Sequence, residues 1–173
     1  GTWSPAVVSN TTSGTYTFTP AVGQCATTTT LDITVTPNVT PTFAAIPAFC
    51  SGSTAPTLPT TSTNGITGTW SPATVSNTAT ATYTFTPTAG QCATTVTLTV
   101  TVNPNITPTF TAVPAICSGA TLSALPTTSN NGITGTWAPA LNNTATTTYT
   151  FTPTAGQCAT TTTLTITVNP NIA

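Results

Sequence analysis

CATTVTLTVTVNPN, residues 92–105, sets an apolar or small residue against threonine at almost every step. Cys92, Thr94, Val96, Leu98, Val100 and Val102 share one side of an extended chain, and Ala93, Thr95, Thr97, Thr99 and Thr101 share the other. A period of two with one apolar side is the pattern of a strand whose inner face is covered and whose outer face meets water. Threonine suits the outer face, because its branched Cβ restricts χ1 to rotamers that fit a pleated surface. The phrase returns from Cys25 as CATTTTLDITVTPN and from Cys158 as CATTTTLTITVNPN. The chain therefore repeats one strand three times.

Working outward, the rest of the sequence repeats with it. GTW begins at Gly1, Gly68 and Gly135; TYTFTP begins at Thr15, Thr82 and Thr148; GQCATT begins at Gly23, Gly90 and Gly156. CSG at Cys50 and Cys117, and LPTTS at Leu58 and Leu125, keep the same spacing of about 67 residues. The joints fall in the Pro/Asn segments TPNVTPTF and NPNITPTF, short extended stretches that space neighbouring units with little slack. Residues 41–107 and 108–173 are then complete units, and residues 1–40 the C-terminal part of another. Within a unit Tyr83 and Phe85 oppose Thr82, Thr84 and Thr86, PTAGQ reads as a hairpin loop, and TFAAIPAFC and GITGTW are further strand candidates. Pro47 marks the former as an edge or bulge. No helical period is present. Six or seven short strands in about 67 residues predict an all-β chain of tandem small antiparallel β-sandwiches.

Composition excludes several function classes. The 173 residues hold no Lys, Arg or His and a single acid, Asp32, whereas ordinary domains carry roughly a quarter charged residues. Without cations there is nothing to neutralise phosphates, so no nucleic-acid partner is expected. No apolar run approaches the length of a membrane span, and no signal-peptide pattern is present, so a mature product or a window of something longer is expected. General acid–base catalysis lacks its groups, and no base stands ready to activate a Ser or Thr nucleophile. Asp32 occupies the place of Thr99 and Thr165 and reads as a lone surface substitution. Neither an enzyme nor a cofactor or metal site is expected, there being no His and no C-x-x-C.

An uncharged surface tends to associate. Two remedies fit: the chain is meant to pack with like repeats or copies of itself, or its hydroxyls carry glycans. Asn10, Asn38, Asn105 and Asn142 head N-x-Thr sequons and are candidate acceptors, although such sequons also arise by chance where threonine is so common. Domains this small bury little surface and call for staples. One pairing, Cys50–Cys92 with Cys117–Cys158, closes each complete unit and stabilises it by about 4 kcal/mol in the chain-entropy model; it leaves the partner of Cys25 outside the chain. The competing pairing, Cys25–Cys50 with Cys92–Cys117, links neighbouring units and orphans Cys158. Either implies an oxidising compartment. Trp3, Trp70 and Trp137 read as core residues rather than sugar platforms, since Ile66, Gly68 and Trp70 alternate onto one face.

The unit PTFxxxPxxCSGxxxxxLPTTSxNGITGTWxPA, closing with TYTFTPTAGQCATTxTLTxTVNPN, resembles the tandem immunoglobulin-like repeats of very long surface and secreted proteins of Bacteroidetes, flavobacteria especially. The likeness covers the whole chain and is most specific in the early Cys, GITGTW and YTFTPTAGQC. It implies immunoglobulin-like folding, export to the cell surface or beyond, and service as an adhesin stalk or extracellular fibre. It names no ligand. The leading expectation is a structural repeat segment of an extracellular filament. The competing one is a carbohydrate- or surface-binding adhesin module acting through the loops STAPT, SPATVSN and PTAGQ, with ice binding by flat threonine rows a remote third. A long repeat chain is favoured over a subunit completed by a neighbour's strand, because NPNIA carries no surplus segment to donate.

Overall fold

The structure is a computed structural model describing residues 1–172. Among the described residues there are thirteen strands and no helix: β1 Thr2–Ser4, β2 Gly14–Thr19, β3 Thr29–Ile33, β4 Phe49–Cys50, β5 Gly68–Ser71, β6 Ala81–Pro87, β7 Val96–Val100, β8 Val102–Asn103, β9 Ile116–Cys117, β10 Gly135–Ala138, β11 Thr147–Pro153, β12 Thr162–Ile166 and β13 Val168–Asn169. They form three three-stranded sheets, β1-β2-β3, β5-β6-β7 and β10-β11-β12, and two strand pairs, β4-β8 and β9-β13. The all-β expectation is met, and the three larger sheets are copies of one another. In each, Trp faces Phe across the first pair: Trp3 opposite Phe18, Trp70 opposite Phe85, Trp137 opposite Phe151.

The period-two reading holds from Thr95 to Val102; Cys92 and Thr94, expected on the covered side, are exposed, and Ala93, expected outside, is half-buried, because the left-handed turn at Cys92 interrupts the extended chain. Thr95, Thr97, Thr99 and Thr101 are exposed, Val96 and Leu98 are half-buried, and Val100 and Val102 are buried. One feature of this strand was not legible. Its ladder breaks at Thr101, and β8 leaves the antiparallel sheet to pair in parallel with β4, Phe49 opposite Val102 and Cys50 opposite Asn103. The third copy does the same, with Ile116 opposite Val168 and Cys117 opposite Asn169. At the break, the Thr80 hydroxyl takes the place of a neighbouring strand: it accepts from Val102 N at 2.9 Å and donates to Val102 O at 3.3 Å. Thr146 does this for Val168, and Ser13 for Val35. A main-chain group left unpaired at such a site would cost about 1–3 kcal/mol.

The expected six or seven strands per unit are five in residues 41–107. TFAAIPAFC contributes only Phe49–Cys50, in parallel, because Pro47 has no N–H to give a ladder. The stretch before β5 is fastened by side chains and single bridges instead, such as Thr61 with Thr67.

The chain divides into two compact units, and residues 41–107 contribute to both. The first comprises Gly1–Ala44, Pro59–Ala73 and Thr84–Leu98. Its core is a triangle of rings, Phe43, Trp70 and Phe85, with centroids 4.8, 4.8 and 5.2 Å apart. Trp70 is buried, and its indole N–H donates to Pro59 O at 2.8 Å, which explains why LPTTS and GTW recur together. Between them the TSTNGI turn is closed by Ser62: its hydroxyl donates to Asn64 Oδ1 at 2.7 Å and accepts from Ile66 N at 2.8 Å. Gly68 opens β5 because any Cβ there would press into the Thr86 carbonyl oxygen and the Phe85 ring. The first sheet, in the same unit, has only two rings of the triangle, Trp3 and Phe18, 5.3 Å apart. Trp3 is 41% exposed and, with Pro5, Val8, Tyr16, Leu31 and Ile33, lines an apolar hollow of about 260 Å³.

The second unit comprises Ala45–Leu58, Thr74–Tyr83 and the described chain from Thr99 onward. Its ring triangle is Phe110, Trp137 and Phe151, with centroids 4.7, 4.7 and 5.1 Å apart. Tyr149, Phe151 and Ile166 have no exposed surface, and burial of each contributes about 1.5–3 kcal/mol. The buried tyrosines keep their hydroxyls satisfied: Tyr83 OH accepts from Ser76 N at 2.8 Å and Tyr149 OH from Asn142 N at 2.9 Å. The core placement expected for the tryptophans holds for Trp70; Trp137 is half-buried and Trp3 exposed.

Candidate functional site: the joint at Cys50 and Cys158

The G-Q-C loop after the long hairpin strand is the most constrained local feature. Gly90 and Gly156 have φ of +90° and +91°, which make the turn. Gln91 then clasps Thr67: Thr67 N donates to Gln91 Oε1 at 2.9 Å, and Gln91 Nε2 donates to Thr67 O at 3.0 Å. Gln157 clasps Thr134 in the same way, at 2.9 and 2.9 Å. The cysteine that follows has φ +46° in all three copies, Cys25, Cys92 and Cys158. Left-handed backbone at a non-glycine residue is strained and persists where surrounding contacts hold it.

At Cys92 and Cys158 the Pro/Asn linker bonds the cysteine carbonyl, whereas Cys25 has the same φ with no such bond among the described residues. Ile106 N donates to Cys158 O at 2.8 Å, and Thr160 N donates to Ile106 O at 3.0 Å, a single parallel bridge. Val39 makes the same pair of bonds with Cys92 O and Thr94 N, at 2.8 and 3.0 Å. The other end of the linker lies along the early cysteine. Cys50 stands opposite Asn103, Ser51 N donates to Asn103 O at 2.8 Å, and Asn105 Nδ2 donates to Ser51 O at 3.0 Å. One linker, Asn103–Ile106, thus runs between Cys50 and Cys158.

The disulfide is Cys50–Cys158, with Cα atoms 5.0 Å apart. This corrects the pairing expected within each unit. Cys92 and Cys117, expected as Cys50–Cys92 and Cys117–Cys158, carry free exposed thiols, and so does Cys25. The physical reason is visible in the third copy. Its late cysteine, Cys158, sits on the linker that precedes the copy, whereas its early cysteine, Cys117, sits opposite Asn169, beyond its last sheet strand. Cys117 and Cys158 belong to different linkers, and the cysteines that meet come from consecutive copies. A cleft of about 450 Å³, lined in part by Ser51, Asn105 and Gln157, opens on the bond.

The remaining candidates fall as follows. All four sequon asparagines are exposed. Asn105 spends its amide nitrogen on Ser51 O, whereas Asn142 uses its carbonyl oxygen, accepting from Thr144 N and Oγ1 at 2.8 Å each. Asp32 is exposed and accepts from the Thr15 hydroxyl; Thr82–Thr99 and Thr148–Thr165 make the same cross-strand contact at 3.1 and 2.7 Å. Asp32 is an interchangeable member of a surface pair. Among the described residues no three His, Cys, Asp or Glu side chains gather to hold a metal, and no helix is long and apolar enough to cross a membrane. Sequence reasoning missed Ile106, the two glutamines and Asn105 as parts of the joint; the recurrence of GQC in all three copies, and of NPN in two of them, was the available signal. No protein-family model and no curated protein matches the chain.

Proposed function

We propose that the chain is a structural repeat segment of an extracellular filament or adhesin stalk, built of small immunoglobulin-like β-sandwiches joined in series. The observation that carries this reading is the joint itself: a linker hydrogen-bonded to the copies on both sides and bridged by a disulfide between them. Two modules that need only to bind ligands side by side have no use for a covalent bond between consecutive repeats. A rod under tension does, because the bond bypasses the linker. The role is mechanical rather than catalytic, and the disulfide suits an oxidising space outside the cell.

The exposed threonine faces then serve as attachment ground for O-linked sugars or as packing surfaces between neighbouring rods. Electron microscopy of the native material tests the role. Long unbranched filaments, labelled by an antibody to this chain, are the expected result; dispersed particles with affinity on a glycan array would transfer the assignment to the binding module.

A further inference from the structure

Asn-Gly occurs twice in the chain, at Asn64–Gly65 and Asn131–Gly132, each time in the turn that meets the end of a linker. Asn64 Nδ2 donates to Thr40 O at 2.9 Å, and its Oδ1 accepts from Thr42 N at 3.1 Å and from the Ser62 hydroxyl at 2.7 Å. Asn131 makes the same contacts with Thr107 O at 2.9 Å, Thr109 N at 3.2 Å and the Ser129 hydroxyl at 2.7 Å. Beside them Thr63 N donates to Thr42 O at 2.7 Å, and Asn130 N to Thr109 O at 2.8 Å. Each asparagine thus ties down the residues that follow Val39 or Ile106, just past the linker's bond to a G-Q-C loop. Both turns and both linker ends lie well inside the chain.

Asn-Gly is also the pair at which an asparagine most readily loses its amide, because glycine has no side chain to shield the main-chain nitrogen that attacks it. The Gly65 nitrogen, having given its proton to hydroxide, bonds to Asn64 Cγ. The Cγ–Nδ2 bond breaks, and ammonia leaves with a proton taken from water. Water then opens the ring at either carbonyl and leaves aspartate or isoaspartate, with nothing oxidised or reduced. The closed turn opposes the first step. Gly65 N donates to Ser62 O at 3.0 Å, and Gly132 N to Ser129 O at 3.0 Å, so each attacking nitrogen is already directed at another carbonyl. The amide it would attack is held at both ends, by the linker and by a buried serine. Attack requires the reacting atoms to be aligned, and a misplacement of about 1 Å costs about a hundredfold in rate.

We propose that Asn64 and Asn131 are latches and deamidation sites in one: each holds a linker to its turn, is protected while it does so, and is converted to an acid once the linker lets go. Conversion makes the release permanent. An ionised aspartate has no N–H to give Thr40 O or Thr107 O, and it sets a negative oxygen against that carbonyl in a chain whose formal net charge is −1. Isoaspartate also routes the main chain through a side-chain carbon, which lengthens the turn. Tension or heat that lifts the linker is thereby recorded covalently. The inference goes beyond the structural reading above and stands apart from it, because the conversion is read on the single chain, whatever that chain builds.

The test is incubation of the full chain in mildly alkaline buffer, native and in denaturant, with the chymotryptic peptides ending at Trp70 and Trp137 followed by mass spectrometry. In denaturant Asn64 and Asn131 should convert ahead of every other asparagine; in the native chain both should convert more slowly, by about tenfold or more. Ser62→Ala removes a donor to Asn64 Oδ1 and should raise the native rate at Asn64 alone, as Ser129→Ala should at Asn131 alone, so each site is the other's control. Asn64→Asp makes the product directly and should speed amide hydrogen exchange at Thr42 and Thr63 while leaving Thr109 and Asn130 as they were. Equal rates in the native and denatured chain, an unchanged native rate in Ser62→Ala, or unchanged exchange in Asn64→Asp each overturn the proposal. Native material devoid of filaments would remove the structural role and leave these rates untouched.

Discussion

Cys50 and Cys158 are 108 residues apart in the chain and 5.0 Å apart at their Cα atoms, with the Asn103–Ile106 linker between them. The relationship makes the disulfide a property of the boundary and not of either repeat. Reduction should therefore weaken the second unit as a whole. Closing a loop of this length stabilises by about 4–5 kcal/mol in the chain-entropy model, so Cys50→Ser should lower its unfolding free energy by about 2–5 kcal/mol. Denaturant titration of the oxidised and reduced chain measures the difference.

Thr80 and Thr97 look alike in sequence and differ in duty. Thr80 satisfies both main-chain groups of Val102, while Thr97 lies exposed on the outer face. Thr80→Val should cost about 1–3 kcal/mol by leaving those groups unpaired, and Thr80→Ser much less. Thr97→Val should stay within about 0.5 kcal/mol. Chemical unfolding of the three variants compares them directly.

Gly68 is needed for the space it leaves. Gly68→Ala sets a methyl group against the Thr86 carbonyl and the Phe85 ring, and should destabilise by about 1–3 kcal/mol as overpacking. A blunted exciton or near-ultraviolet signal from the Trp70–Phe85–Phe43 triangle should accompany the loss.

Among the described residues Trp3 packs against Phe18 and no counterpart of Phe43. Appending a second copy of residues 41–67 ahead of Gly1 supplies the counterpart of Phe43, which packs 4.8 Å from Trp70. In a chain with Trp70 and Trp137 replaced by Phe, emission from Trp3 should shift to the blue and acrylamide quenching should fall. Burial of the added phenylalanine should raise stability by about 1.5–3 kcal/mol.

Sequon occupancy should follow the hydrogen bonds. Asn105 already spends one N–H of its amide nitrogen on Ser51 O, so a sugar there has to be fitted beside that contact, whereas the Asn142 carbonyl contacts leave its nitrogen free for attachment. Glycopeptide mapping of native material should find Asn142 modified ahead of Asn105.

Much of the fold was legible because its signals are local. The alternation from Thr95 to Val102 reports which side of a strand is covered, and the recurrence of GTW and TYTFTP reports that one sheet is built three times. The partner of Cys50 was not legible. Spacing says how far apart two cysteines lie along the chain, but not at which end of a repeat each emerges; that depends on β8 leaving its sheet at Thr101 to run parallel with β4. The role of Thr80 was hidden for a related reason. A hydroxyl that stands in for a strand is indistinguishable, in a chain about one third threonine, from those that merely face water.

If consecutive repeats carry tension as one series bridged by Cys50–Cys158, as proposed above, pulling a single chain by its ends tests this most directly. With the bond intact, 108 residues are shielded from force, so adding reductant should lengthen the fully stretched chain by about 380 Å, at about 3.5 Å per residue. A gain of about 290 Å would instead match two loops of about 42 residues closed within the repeats. That result, or no gain at all, would contradict the claim.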